Sequence, residues 1–246
     1  LDNFSKIFKN LKIDIENYVP NSLSSSLSTL TNDEKELGSI CIDLGHSTTS
    51  ISIFENNKYI FGDALSIGSN NVTLDIARGV HTSIAGAERI KNLFGSVLTS
   101  PSDEHEIIEV PVVAENKNSF KQINRSILNS IIKPRIEETL EMVWQRIKQK
   151  NHHLKKIRNI VLTGGGSQLE GIEEYAKIIF SSNVRIARPH DYLLINEKFI
   201  KPNFSDVIGT ILFRRADFND YSSNISNKIK KKAGISTFFT WLDQYI

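Results

Sequence analysis

Cysteine is almost absent from this sequence, Cys41 being the sole one. That excludes an internal disulfide framework and any zinc cluster built on cysteine, and it points to a reducing compartment. Long apolar runs are missing too. Even the densest stretches are broken by charge within a turn or two, short of the roughly 18 to 20 apolar residues that a membrane-spanning helix needs. The start, Leu1-Asp2-Asn3-Phe4, has neither the positive flank nor the apolar core of a secretory signal. An excess of one charge is also lacking, because 30 Lys and Arg face 28 Asp and Glu for a formal net charge of +2. So even a balance argues against a nucleic-acid partner. The six histidines have no metal-ligand spacing, and no Ser/His/Asp set can be assembled on any spacing argument. Neither a metal site nor a hydrolase triad is expected, and no solenoid-type repeat recurs.

What is present is globular. With 39% hydrophobic residues over 246 positions, the chain can bury the core of one large domain or two small ones. The opening Phe4 to Ile13 reads as the tail of a helix running into a strand, as a chain entering mid-domain would. Pro20 suits a first helical turn, followed by Leu23, Leu27 and Leu30 at helical spacing among Ser22, Ser25 and Ser26; a serine-rich linker is the alternative. From Gly38 the period shortens to that of strands. Ile40-Cys41-Ile42 leads into Asp43-Leu44-Gly45, Ser50 to Phe54 alternates, and Asn56-Asn57 turns the chain back through Lys58 to Phe61. Two helical patterns between Val72 and Phe94 follow, the second capped by Thr82 or Ser83 and stopped by Gly95, and a strand is expected from Ile107 to Val113. In the stretch Phe120 to Lys150 apolar residues recur on both sides of Pro134, which predicts two helices split by the proline; Trp144, spaced with Leu140 and Val143, reads as core. A strand at Asn159 to Leu162, a glycine turn, and a helix from about Leu169 to Phe180 make an α/β unit. A strand at Val184 to Ala187 and a helix near Ser205 to Arg215, with Val207, Ile208, Ile211 and Leu212 inward, complete the expected fold.

Two loops have the composition to hold a phosphate. Asp43-Leu44-Gly45-His46-Ser47-Thr48 joins two strands, its glycine lets a ligand approach the backbone, and its hydroxyls and amides are donors. An acidic residue there can hold a metal or its waters, although an ordinary hairpin turn has the same composition. Thr163-Gly164-Gly165-Gly166-Ser167 ends a strand and opens a helix, where free amides and a positive helix terminus suit an anion or nucleotide; a tight turn needing positive φ is the alternative. Between the loops lies a helix presenting Glu88 and Lys91 three apart, as a ribose and base contact or as a solvated ion-pair face.

The far end is read from its own pattern. At 100° per residue, Ile235, Phe238, Phe239, Trp241, Leu242, Tyr245 and Ile246 fall within an arc of about 160°, opposite Ser236, Thr237, Thr240, Asp243 and Gln244. The segment follows a polar stretch, Asn219 to Asn227, and the basic run Lys228-Ile229-Lys230-Lys231-Lys232. A tethered amphipathic helix meeting an anionic membrane surface has this order; packing on its own domain or on another protein remains open.

These residues resemble the actin-like ATPase superfamily and, within it, the FtsA family of bacterial division proteins. Thr31 to Gly38 is similar to the family's approach to its second phosphate motif, and Asp43 to Thr48 stands where FtsA typically has D-I-G-G-G-T, with His46 and Ser47 replacing two glycines. Val72 to Ala77, Ala87 to Lys91 and Lys133-Pro134-Arg135 resemble further family motifs, and Ile160 to Ser167 with Leu169-Glu170-Gly171 resembles the adenosine motif. The similarity covers the chain but only the second half of an FtsA, so the first phosphate loop and subdomains 1A and 1C are expected upstream of Leu1.

The resemblance implies an α/β, actin-like (ribonuclease H-like) mixed-sheet domain. Its divisions are the end of a preceding subdomain and an interdomain helix (1–37), subdomain 2A (38–70 and 155–218), a helical subdomain 2B (71–154), a basic linker (219–232) and a membrane-targeting helix (233–246). It implies ATP with Mg bound between Asp43, Gly45, His46, Ser47 and Thr48 on one side and Gly164, Gly165, Gly166 and Ser167 on the other, with Glu88 and Lys91 toward the ribose and base. It implies further that Lys121, Arg125 and Arg135 receive the FtsZ C-terminal tail and that other divisome proteins bind. Self-association into actin-like filaments and peripheral attachment to the inner face of the cell membrane at the division septum complete the expectation. The alternatives are a phosphotransferase of the same superfold and an adaptor that has lost its nucleotide.

Overall fold

The computed structural model describes residues 2–15, 17–112, 120–150, 159–190 and 197–215. Its centre is a five-stranded sheet built from β1 (Ser39–Leu44), β2 (Thr49–Glu55), β3 (Lys58–Leu65), β6 (Asn159–Thr163) and β7 (Asn183–Ile186), in the order β3-β2-β1-β6-β7. The first three strands form an antiparallel meander. Asn56 and Asn57, at φ 51° and 58°, supply the two left-handed positions that a tight two-residue hairpin needs. β6 and β7 then join parallel to β1.

Alternation along the strands divides the interior into two cores. Ile40, Ile42, Ile51, Ile53, Ile160 and Leu162 face the larger one. Cys41, Phe54 and Val161 face the smaller one, closed by Leu23, Leu27 and Leu30 of α2 (Asn21–Thr29). With both faces covered, every residue of β1 is buried.

α2 answers the linker alternative, since it is a helix buried at every position but the first. Its serine hydroxyls return to carbonyls three or four residues back, as Ser26 does to Ser22 at 2.9 Å, so a polar helix can lie inside. α3 (Asn32–Leu37) starts with a capping box in which Thr31 and Glu34 satisfy each other's backbone N–H groups. Between β3 and β6 are inserted α4 (Ser69–Gly79), α5 (Ile84–Phe94), the hairpin β4 (Ile107–Pro111) and β5 (Phe120–Asn124), and α6 (Arg125–Lys150). α5 takes Ser83 as its cap, and Gly95 ends it. The Thr82 hydroxyl instead donates to the Pro111 carbonyl at 2.5 Å.

Several expectations are corrected. Proline does not split the 120–150 stretch: residues 120–124 are β5, and α6 runs unbroken through Pro134. Leu128, Ile132, Ile136, Leu140, Val143 and Ile147 are all buried on it, and that continuous apolar seam outweighs the one lost backbone hydrogen bond. α1 (Asp2–Asn10) ends in a turn, and the extended residues after it pair with no strand among the described residues. α7 (Ile172–Phe180) begins at Ile172 rather than Leu169, because Gly165–Gln168 form a separate 3-10 turn. On α8 (Ser205–Arg215) Val207 and Ile211 point outward, 59% and 50% exposed, because Ser205, Ile208 and Gly209 form the inward face. Trp144 packs on Phe180 with ring centroids 5.4 Å apart, as a core residue would. Val113, His152, His153 and the tail from 216, with Lys230, Lys231, Lys232 and the amphipathic stretch Ile235 to Ile246, lie outside the described residues.

Candidate nucleotide site

Parallel pairing of β1 with β6 sets Asp43 opposite Thr163, so the loops that follow the two strands leave the sheet at the same end. In the first loop the Gly45 N–H donates to the Thr48 carbonyl at 3.0 Å, and the side chains of His46, Ser47 and Thr48 are exposed at the tip. The loop also caps α4: the Ser69 and Asn70 amides donate to the Gly45 and His46 carbonyls at 2.9 and 2.8 Å. Gly68 makes this possible, since a Cβ there would collide with the His46 carbonyl.

In the second loop Gly164 adopts φ +84°, and its N–H donates to the Pro202 carbonyl at 3.2 Å. A Cβ on Gly164 would strike the Asp43 carboxylate and the Leu44 carbonyl, so the two loops touch through glycine backbone. Ser167 is buried, and its hydroxyl turns inward to the Gly164 carbonyl at 2.8 Å. Gly165 alone is fully open, with only the Asn203 Cβ near it. The loop's amides belong to a 3-10 turn, not to the start of α7.

The Glu88 and Lys91 pair sits one helix away. Lys91 is buried, and its Nζ donates to Glu88 Oε2 at 2.7 Å, Thr73 Oγ1 at 2.8 Å and the Ser69 carbonyl at 3.4 Å. Burial alone would raise the Glu88 carboxyl, but hydrogen bonds from Lys91, Thr73 and Asn92 and the Lys91 charge hold it below its ordinary value. Ser69 is thus the meeting point of all three motifs: its amide holds the first loop, its carbonyl accepts from Lys91, and its Cβ lies against Gly166.

Asp43 is buried beneath the loops. Burial, then the nearby charge of Asp206, push its carboxyl up to about 6, opposed by a hydrogen bond from Ser25. Asp206, in the first turn of α8, itself accepts from the Ser24 hydroxyl. The Thr163 and Ser205 hydroxyls pair at 2.6 Å beside them. Asp206, Ser24, Ser25, Ser205 and Pro202 are neighbours of the candidate site that sequence reasoning missed. The one available signal was the serine density of α2, which asks for acidic or carbonyl partners. A gap of about 20 Å³ beneath the loops, bounded by Thr49, Gly68, Ser69, Thr139 and Gly166, has room for about one water.

The three expected peptide-binding cations are engaged differently. Lys121, half-buried on β5 opposite Val110, makes no ion pair among the described residues. The Arg125 side chain is 18% exposed and internally spent: it donates to the Phe94 carbonyl at 2.8 Å, Glu106 at 3.1 Å and Glu170 at 2.6 Å, with Asp103 at 3.8 Å. Four acceptors thus fold around Arg125. Arg135 donates to Asp75 and Glu138.

A sheet of order β3-β2-β1-β6-β7 with a helical insertion between β3 and β6, and two glycine loops meeting at one sheet end, is the architecture of an actin-like protein. Solved structures agree: MreB5 of Spiroplasma citri bound to ADP superposes with a TM-score of 0.72 at 17% identity, covering 89% of this chain and 66% of that one. The PilM-PilN type IV pilus biogenesis complex gives 0.63 at 15% identity, covering 86% and 56%. At such identities the likeness is one of fold. Sequence carries further: the profile of the family described as Cell division protein FtsA matches residues 40–209. FtsA of Rhizobium meliloti (strain 1021) is 37% identical over 214 residues, 87% of this chain and 48% of that protein. FtsA of Helicobacter pylori (strain ATCC 700392 / 26695) is 28% identical over 236 residues, 94% of this chain and 48% of that one. The chain belongs to the FtsA family of cell division proteins, and it spans about half the length of the curated relatives it matches.

Proposed function

We propose that this chain is the 2A and 2B part of an FtsA-type adaptor and supplies one wall of a cleft for ATP with Mg, the other wall lying in the half of the relatives' length that it does not match. The observation that carries this reading is the convergence of both glycine loops and the Lys91 cluster on Ser69, with Asp43 buried directly beneath. Asp43 is the residue to hold Mg or its waters, Gly45, Gly164, Gly165 and Gly166 admit the phosphates, and Glu88 and Lys91 border the ribose and base. The work is binding rather than turnover. Calorimetric titration of Mg-ATP into the chain assembled with its missing half tests it. Asp43→Ala is expected to weaken affinity about tenfold, a loss of about 1.4 kcal/mol, and unchanged affinity counts against the assignment.

A nucleotide-independent adaptor of the same fold is the second reading. It is favoured by His46 and Ser47, whose side chains stand at the loop tip, and by the first amides of α4, already taken by loop carbonyls. Absence of heat in the same titration selects it.

The partners of the adaptor are the FtsZ C-terminal tail, other divisome proteins, further copies in actin-like filaments and anionic membrane lipid at the division site. The tail, a peptide mixing acidic and apolar residues, suits the inserted subdomain, where Ile107 and Phe120 are each 60% exposed at the two ends of the β4–β5 hairpin. Membrane attachment rests on residues 233–246 and the lysines before them. Deleting those residues is expected to abolish sedimentation with anionic vesicles.

A further inference from the structure

Two lysines are buried among the described residues, and the fold treats them oppositely. Lys91 has three acceptors around its ammonium. Lys35, on α3 and only 9% exposed, has none: its Nζ makes no hydrogen bond or ion pair among the described residues. The helix around it is fixed, because Thr31 and Glu34 close the capping box ahead of it and its own carbonyl accepts from the Asn57 amide at 2.9 Å. Nearby groups leave its charge unmatched. Glu34 is committed to Arg185, accepting from Nε at 2.7 Å and from Nη2 at 2.6 Å. The Cys41 thiol is pushed up to about 12 by burial and stays neutral. Burial holds the Lys35 ammonium below its ordinary value, with the Glu34 charge opposing.

Arg185, on β7, has donors to spare. Its Nη2 also reaches the Thr29 carbonyl at 3.0 Å, but Nη1 donates to no acceptor among the described residues, and the side chain is 38% exposed. His190 is the third member. Burial and then the Arg185 charge hold its imidazole below its ordinary value, the Lys35 charge acts the same way, and a hydrogen bond at the Thr29 backbone opposes them. Both cations are therefore within electrostatic reach of one ring. An unpaired buried charge is costly, and a donor without an acceptor adds to the cost. What the cluster lacks is a small anion with at least two acceptor oxygens, one for Lys35 Nζ and one for Arg185 Nη1. Entry is on the Arg185 side, since Lys35 is almost closed off.

We propose that Lys35, Arg185 and His190 form a binding site for a small oxyanion of the phosphate type, at the Thr29 end of α2. The site is independent of the nucleotide cleft proposed above, which lies toward Ser24, Ser25 and Asp43 at the other end of that helix. A bound dianion answers both the spare Arg185 donors and the unmatched Lys35 charge, and it ties α3 to β7 beside the existing bond between Glu34 and Arg185.

The test is thermal melting of the 246-residue chain in sodium phosphate, sodium acetate and sodium chloride at matched ionic strength and neutral pH. With inorganic phosphate at about ten times its dissociation constant, the midpoint is expected to rise by about 3 to 6 °C over chloride. Lys35→Met, which keeps the volume and removes the charge, is expected to melt above the parent in chloride and to lose the phosphate shift. Lys35→Gln is expected to lose the shift as well. The His190 ring protons, assigned by NMR with His190→Gln, are expected to move on phosphate titration of the parent and to stay still in both Lys35 variants. Equal melting of the parent in phosphate and chloride overturns the proposal, as does acetate acting as strongly as phosphate. A phosphate shift that survives both substitutions belongs to the glycine loops and overturns it too. Should neither variant fold, the parent's His190 resonances decide, and their indifference to phosphate overturns the site.

Discussion

Asp43 bears an electrostatic cost that the fold does not need. Its carboxyl is pushed up to about 6 by burial and by Asp206. Because the folded value lies above the unfolded one, the unfolded chain loses this proton first as pH rises, and stability falls between about pH 4 and pH 6. Asp43→Asn is expected to stabilise the protein at pH 7, by up to about 3 kcal/mol, and to flatten that slope in urea titrations across the range. Glu34 has the opposite sign: burial would raise it, but Arg185 and Thr31 hold it below its ordinary value, so its contribution is present above about pH 4.5 and lost on acidification. The glycines of the second loop divide just as sharply. Gly164→Ala is expected to cost about 1 to 3 kcal/mol for its positive φ alone, plus the collision with Asp43, whereas Gly165→Ala, at an open position, is expected to be near neutral in the same assay.

Among the elements, α6 and the seam between α2 and α8 show where pattern and packing part company. The apolar spacing from Leu128 to Ile147 is legible as helix, but no local rule says that six buried side chains outweigh one proline. Pro134→Ala restores a donor to the Ser130 carbonyl at an exposed site and is expected to raise stability by about 1 to 3 kcal/mol in chemical denaturation. Hydrophobicity alone turns Val207 and Ile211 of α8 inward. Its true inner face is set by Gly209, where a Cβ would collide with the Ser24 carbonyl, and by Ser205, whose carbonyl accepts from the Ser28 hydroxyl at 2.7 Å. Helices this close need small residues, not large ones, so the signal was glycine and serine. Gly209→Ala is expected to force the pair apart and lower stability by at least about 3 kcal/mol, measured the same way.

Across the whole molecule, the parts of the site carried by motifs were legible and those created by tertiary approach were not. Asp43, Gly45 and Gly164 stand in recognisable strings, and β1 and β6 bring them together. Asp206 reaches Asp43 only because α8 packs on α2, an approach that the apolar pattern of neither helix announces. Arg125 is a second case: expected as a peptide contact, it ties α6 to the end of α5 through the Phe94 carbonyl and to the loop before α7 through Glu170. Arg125→Ala is expected to cost about 2 to 4 kcal/mol, because it takes the donor from the Phe94 carbonyl and the counter-charge from buried Asp103, whereas Lys121→Ala should change stability by less than about 0.5 kcal/mol in parallel melts. The pairing of β1 with β6 also sets a timetable for synthesis. β1 pairs with β2, and β2 with β3, as soon as they emerge, but Ile42 must wait for Leu162, about 120 residues later. At about 5 to 20 residues per second, a nascent β1 keeps an unpaired edge for roughly 6 to 24 seconds, rich in isoleucine and open to any strand that passes. The leucines of α2, made before β1 and buried against its smaller-core face, give the emerging meander one covered side during that wait, so a ribosome-bound chain halted near residue 112 should already protect β1 on the α2 face while its edge stays open.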